Sequence, residues 1–281
     1  MNWQRLATAA VAIPVIIAIT LVAPYQFFYG LVLLFFLIGL WEWGGLCATS
    51  LKQQASYFAA TLVMLALVIV ALNQCAPYSF FKFILIPTVI WWLLLVPLFW
   101  LGIKKKNLLI DGGIGVIGLT VTAISLVFIY DLNPIAILVL FTLVWTNDSA
   151  AYYIGKTWGR HKMSPTISPN KTWEGLIGGV VMTALIAVVW ILILQRLIEK
   201  FDYISSIDLV FLLIWSVPMA MAGVVGDLIV SLLKRHANKK DSGAIFPGHG
   251  GVLDRIDGLI AVAPIFALLL SGVTIGPMVQ V

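Results

Sequence analysis

Charge is what this sequence has least of. Of 281 residues only 10% are Asp, Glu, Lys or Arg, while 62% are hydrophobic and the mean hydropathy is +1.06. Soluble globular domains carry about 25% charged residues, so a water-soluble fold is excluded. Disorder, which requires low hydrophobicity, is excluded with it. Cysteine is nearly absent. Cys47 and Cys75 have neither metal-ligand spacing nor a disulfide framework and read as inert packing residues. The net charge of +5 comes without a basic stripe interleaved with aromatics, which leaves nucleic acid out as a partner. No repeat of 20–50 residues is evident, and no small-residue cleavage site follows the first apolar run.

What the sequence has in quantity is apolar length. A bilayer-spanning helix uses about 20 residues, and such runs occur at 6–23, 27–47, 55–73, 80–102, 108–130, 134–154, 174–195, 209–232 and 256–276. The expected fold class is an all-α, polytopic membrane protein with about nine transmembrane helices. Lys and Arg gather in cytoplasmic loops. With the N-terminus inside, fourteen of the seventeen bases lie on the inner side and only Lys82, Arg196 and Lys200 outside. The N-terminus is therefore expected in the cytoplasm and the protein in the cytoplasmic membrane. Lys104, Lys105 and Lys106 fit topology fixing and attraction to anionic membrane lipids.

The two halves differ. Residues 1–140 read as a hydrophobic transmembrane scaffold. Residues 141–281 read as a transmembrane catalytic region with two polar cytoplasmic loops, 155–173 and 233–255. Within the scaffold, Gly113, Gly115 and Gly118 match the glycine pattern of a dinucleotide-binding turn, but that motif needs a preceding strand. Glycines opening an apolar span read instead as helix packing. Glu42, between Trp41 and Trp43, has two readings: a functional intramembrane acid, or a carboxylate of the interfacial aromatic belt.

Chemistry concentrates in 145–258. Asp148 lies in an expected span and needs a cation or hydrogen-bond partners, because an unpaired buried carboxylate is costly. A metal, or a Lys folding back from the following loop, would serve. Ser168 and Thr172 can cap a helix starting near Trp173, and Glu174 suits its positive end. Lys171 beside that helix start suits phosphate. Asp227, Ser231 and Lys234 fall at i, i+4 and i+7 on one helix face, and Asp254 and Asp257 share a face at the start of the last span. Oxygen ligands with few His or Cys indicate Mg²⁺, which commonly takes one or two carboxylates plus substrate phosphates. Nearby bases supply countercharge. His249, in Pro247-Gly248-His249-Gly250-Gly251, reads either as a loop hydrogen-bonding residue or as catalytic.

The run from Ser231-Leu232-Leu233-Lys234-Arg235 through Lys240-Asp241-Ser242-Gly243 to Phe246-Pro247-Gly248-His249-Gly250-Gly251-Val252-Leu253-Asp254-Arg255-Ile256-Asp257 closely resembles the signature of the phosphatidate cytidylyltransferases. The upstream segments Asp148–Tyr152 and Ser168–Gly175 are similar to the same family. The resemblance implies transfer of CMP from CTP to phosphatidate in phospholipid biosynthesis, giving CDP-diacylglycerol and pyrophosphate. It also implies a homodimer and Mg²⁺, with a second, monovalent cation such as K⁺. On this likeness Asp227 and Asp254 hold metal, with Asp148 and Asp257 assisting. Lys171, Lys234, Arg235 and Lys240 bind the phosphates of CTP and phosphatidate, and Ser168 and His249 line the site; Asp227, Asp254, Lys171, Asp148 and His249 form the catalytic set. Two rivals remain: a CDP-alcohol phosphotransferase or lipid kinase, and a transporter with Asp148 and Asp227 on an ion path. The first expects an Asp-Gly-x-x-Ala-Arg pattern that is absent here. The second expects internal repeats and broken helices at the midplane.

Overall fold

In the computed structural model of the protein, the described residues are 13–48, 50–72, 86–91, 93, 108–198, 209–245 and 250–274. Helical residues 13–21 (α1) lead into α2 (Tyr25–Cys47) and α3 (Leu51–Leu72). Helical residues 86–91 (α4) precede α5 (Leu108–Leu132), α6 (Pro134–Trp158), α7 (Trp173–Ile198), α8 (Leu209–His236) and α9 (Leu253–Thr274). Arg5, Cys75, Lys82, Lys104, Lys105, Lys106, Lys200 and His249 lie outside the described residues.

Among the described residues, five helices are long and apolar enough to cross a bilayer: Tyr25–Cys47, Ile110–Leu132, Pro134–Trp158, Trp173–Leu194 and Leu212–His236. The protein is an all-α membrane protein. α9 is as long as these but opens on Asp254, Arg255 and Asp257 within its first five residues.

Small residues set how closely the helices approach, as membrane packing requires. α6 and α7 run antiparallel, with Gly155 against Gly175, Ile154 against Gly178, and Asn147 and Ala151 against Gly179. α8 and α9 pack the same way: Gly226 lies on the Asp257 carbonyl and Ala261, and Gly223 on Val262. α9 is the most enclosed element, with Ile260, Ala261, Val262, Ala263, Phe266 and Ala267 all buried. Its interior Pro264 has no N–H for the Ile260 carbonyl. The Thr122 hydroxyl of α5 lies 2.7 Å from the Gly118 carbonyl of its own helix and 3.1 Å from that of Ile260, so its one proton is shared between the two. The glycines of 113–118 lie inside α5, and no strand precedes them among the described residues. A Cβ on Gly115 would overlap the Trp43 indole, and one on Gly118 the Trp91 indole. They are packing residues.

Local sequence explains where the helices stop. Asn133 caps α6 by accepting from the Ile135 amide at 2.8 Å, with Pro134 at the first helical position. α8 ends where Asn238 takes a left-handed conformation (φ 53°), with Lys239 N–H on the Lys234 carbonyl and Asn238 N–H on that of Arg235. The segment 155–173, expected as a loop, is largely ordered. α6 continues to Trp158, and an antiparallel hairpin of β1 (Lys162–Ser164) and β2 (Ser168–Thr172) joins it to α7. Thr172 then caps α7, its hydroxyl accepting from the Gly175 amide at 3.1 Å. Ser168 takes no part in that cap, because it pairs with Ser164 in the hairpin.

Candidate active site

The C-terminal end of α6, the hairpin, the N-terminal end of α7, the end of α8, the 239–245 segment and the start of α9 meet around one cavity of about 800 Å³. That volume suits a nucleotide-sized ligand. Asp148 comes from α6, Ser168, Asn170 and Lys171 from β2, and Asp227 and Lys234 from α8. Lys240 and Asp241 come from the segment after α8, and Asp254, Arg255 and Asp257 from α9. The two carboxylate-bearing faces expected from spacing do meet. Lys234 Nζ lies 2.6 Å from Asp254 Oδ1, and Asp227 and Asp257 line the same cavity.

Lys171 folds back into the site as a lysine of this loop was expected to, but it pairs with Asp227 and not with Asp148. Its Nζ is 2.6 Å from Asp227 Oδ2 and donates to the Val224 carbonyl at 3.0 Å. That double contact pins the hairpin to α8. On the same face of α8, Ser231 donates to Asp227 Oδ1 at 3.3 Å. Among the described residues Asp148 forms no ion pair within 4 Å, although it lines the same cavity.

Asp254 is held very differently. Besides Lys234, it accepts from the Ser242 amide at 2.8 Å, the Ser242 hydroxyl at 3.0 Å and the Gly251 amide at 2.9 Å. Gly250 sits at φ +83° with its α-carbon against this carboxylate, where a Cβ would meet Asp254 Oδ2. Glycine satisfies both the backbone conformation and the close approach. Two of the other bases differ from expectation in position. Arg235 is exposed and its Nε donates to the Ile167 carbonyl at 3.2 Å, so it braces the hairpin turn and does not line the cavity. Arg255 does line it. The sequence offered a signal for Arg255, since it stands between the two aspartates of the last helix; its face was the missing information.

Glu174, read from sequence as a charge favouring the α7 N-terminus, has a more specific task. It accepts from the Arg160 and His161 amides at 3.1 and 3.2 Å and meets His161 Nδ1 at 2.6 Å, closing the base of the hairpin.

A hard divalent cation here would have to be held by the cavity's acids together with bound phosphates. Among the described residues no three His, Cys, Asp or Glu side chains are grouped so as to enclose an ion by themselves. The oxygen donors are instead Asp148, Asp227 and Asp257, which line the same cavity. Like charges gathered in one cavity repel, and a cation between them would offset that repulsion. Mg²⁺ commonly takes one or two carboxylates and completes its shell with water and substrate phosphates, so the residues present fit it.

Residues 3–273 match the model of the cytidylyltransferase family. The chain is similar to the phosphatidate cytidylyltransferase of Pseudomonas aeruginosa, 32% identical over 281 residues, covering 96% of this chain and 97% of that one. It is 37% identical over 174 residues to the phosphatidate cytidylyltransferase of Bacillus subtilis, and 35% identical over 170 residues to that of Staphylococcus saprophyticus. Those two matches cover 59% of this chain, and the chain spans about three-fifths of the length of each, 61% and 62%. This chain belongs to the cytidylyltransferase family.

Proposed function

We propose that the cavity transfers CMP from CTP to phosphatidate, giving CDP-diacylglycerol and pyrophosphate. One observation carries this reading: acids and bases from three helices, a hairpin and the segment after α8 converge on a single nucleotide-sized cavity at the helix ends. A lipid phosphate and a water-soluble triphosphate can both reach such a place.

The reacting oxygen belongs to the phosphate monoester of the lipid. Its second pKa is about 6, so at neutral pH it is already largely dianionic and needs no strong general base. This agrees with a cavity whose walls carry carboxylates and lysines. The lipid phosphate oxygen forms a bond to the α-phosphorus of CTP, the bond from that phosphorus to the bridging oxygen breaks, and the electron pair leaves with pyrophosphate. The obstacle is bringing two anions together. Lys171, Lys234, Lys240 and Arg255 answer it with fixed positive charge around the phosphates. Lys171 and Lys234 are held in place by Asp227 and Asp254, so little reorganisation accompanies binding. Mg²⁺, held by Asp227 and Asp257 with Asp148 nearby, would neutralise charge on the triphosphate when bound. Asp254 can join this set only by giving up Lys234. A second, monovalent cation such as K⁺ suits an acid-rich wall with one lysine. His249 is assigned to the cavity rim on family likeness alone.

The same reading places about nine helices across the cytoplasmic membrane with the N-terminus and the cavity on the inner side, supported by the fourteen-to-three distribution of bases. A homodimer is supported by the family likeness, and α7 offers an outward apolar face (Ile177, Val181, Leu185, Val189, Leu192) for lipid or a second copy.

The test is label transfer by purified protein. With phosphatidate and Mg²⁺, label from the α-phosphate of CTP should enter the lipid and label from the γ-phosphate should leave as pyrophosphate. Transfer of γ-label to lipid would identify a lipid kinase instead, and solute flux without chemistry a transporter.

A further inference from the structure

One residue of the hydrophobic N-terminal half reaches the wall of the cavity without lining it. Glu42, near the end of α2, is 5% exposed, so the water-reaching carboxylate of an aromatic belt is not what it is. Its Oε1 accepts from the Val252 amide at 3.0 Å, and its Oε2 from the Leu253 amide at 2.9 Å and the Ser242 hydroxyl at 2.8 Å. Val252 and Leu253 open α9, where the first amides have no partner within the helix and a negative charge is favoured. A carboxylate from a helix about 200 residues away in sequence therefore caps the helix that carries Asp254, Arg255 and Asp257. The fit is close. A Cβ on Gly243 or on Gly251 would overlap the Glu42 carboxylate.

The contact continues to the cavity. The Ser242 hydroxyl lies between two carboxylates, 2.8 Å from Glu42 and 3.0 Å from Asp254. It has one proton to place between them, so the two acids are coupled through it. Asp254 in turn holds Lys234, which faces the cavity. The series Glu42, Ser242, Asp254, Lys234 runs from a scaffold helix to a phosphate-facing cation. Lys171, by contrast, is held from α8, by Asp227 and the Val224 carbonyl, and not from the scaffold.

We propose that Glu42 is a positioning residue for the site: it seats Ser242 and the first turn of α9, and through them fixes Asp254 and Lys234 at the cavity wall. The proposal rests on the reading of the cavity given above. It concerns the set of charges on one wall, so its effect belongs in turnover more than in overall stability.

Glu42→Gln keeps the size of the side chain but turns an amide NH₂ toward groups that already donate. In purified full-length protein with CTP, phosphatidate and Mg²⁺, this variant should lose at least about tenfold in kcat. Trp43→Phe, the neighbouring residue whose indole donates to the Asp111 carbonyl at 2.8 Å, should lower the melting temperature and keep kcat within about twofold. In a Ser242→Ala background, Glu42→Gln should add much less than its own factor, because the two act through one contact. Equal losses in both backgrounds, or a kcat for Glu42→Gln within about twofold of wild type, would overturn the proposal. Amide hydrogen exchange gives an answer that does not depend on the substrates. Glu42→Gln should raise exchange at Val252, Leu253 and Ser242 while α6 and α7 keep wild-type protection. Unchanged exchange at those three amides, or a uniform rise across the protein, would sink it. A wild-type protein silent toward CTP and phosphatidate would instead overturn the assigned reaction, and the exchange result would still decide the role of Glu42.

Discussion

The cavity has two acidic walls, and they are built on opposite terms. On one, Asp254 is densely held: one lysine and two backbone amides point at it, and it shares the Ser242 hydroxyl proton with Glu42. On the other, Asp227 accepts from Lys171 and Ser231, Asp257 from the adjacent Gly258 amide, and Asp148, in the same cavity, forms no ion pair among the described residues. A carboxylate held in this way is a structural anchor. Three carboxylates around one lysine are where a cation would be favoured. The comparison separates Asp227 from Asp254, which the family likeness treats alike as metal ligands: Asp254 is anchored, and the wall of Asp148, Asp227 and Asp257 is the one proposed to take a cation.

The comparison breaks most readily at Asp227. Asp227→Asn should reduce CMP transfer by more than about 100-fold while the melting temperature in detergent stays near wild type, because this side chain is a third exposed to the cavity. A variant that turns over normally would remove Asp227 from the metal set. Asp254→Asn should cost less in specificity for metal and more in fold. It leaves Lys234 without its partner, and breaking a buried pair costs about 3–5 kcal/mol, read as a lower melting temperature together with lower turnover. If Asp254→Asn melted like wild type but shifted the Mg²⁺ dependence, the two walls would have to exchange roles.

Two arginines sharpen the picture at smaller amplitude. Arg255→Ala should reduce turnover by about tenfold, since a cavity-facing cation is lost. Arg235→Ala should change it by less than about threefold and instead speed proteolysis of the 160–172 hairpin, whose turn Arg235 braces. The reverse order of effects would mean that Arg235 swings into the cavity to meet phosphate. The smallest effect is far from either wall. Thr122→Val should cost at most about 1 kcal/mol in stability, the worth of one hydrogen bond, because its one hydroxyl proton is divided between the Gly118 and Ile260 carbonyls, with kcat unchanged.

How much of this was legible in the sequence follows from the range of the interactions. The apolar runs at 27–47, 108–130, 134–154, 174–195 and 209–232 and the i, i+4, i+7 face of Asp227, Ser231 and Lys234 are local, and they came through as spanning helices and as a shared face. Lys171 folding back was foreseen as a type of contact, but its partner depends on how α6 and α8 pack, which periodicity does not encode. The hairpin at 162–172 was missed because it is short and polar and lacks the apolar alternation that marks a half-buried strand. Glu42 is the clearest case. Two flanking tryptophans gave it the signature of a membrane boundary, while its partners lie about 200 residues downstream. Arg235 and Arg255 stand in one motif, yet the sequence assigned phosphate to Arg235 alone; Arg255 lines the cavity and Arg235 does not, a difference set by helix rotation that spacing does not encode.

The most direct test is a Mg²⁺ titration of CMP transfer from α-labelled CTP to phosphatidate, run in parallel on wild-type protein, Asp227→Asn and Asp254→Asn. The expected result is saturable Mg²⁺ dependence in wild type, no rescue of Asp227→Asn at any Mg²⁺ concentration, and residual activity in Asp254→Asn with the wild-type Mg²⁺ midpoint. Transfer without a divalent cation, or a wild-type Mg²⁺ response in Asp227→Asn, would contradict a cation held on the Asp148, Asp227 and Asp257 wall.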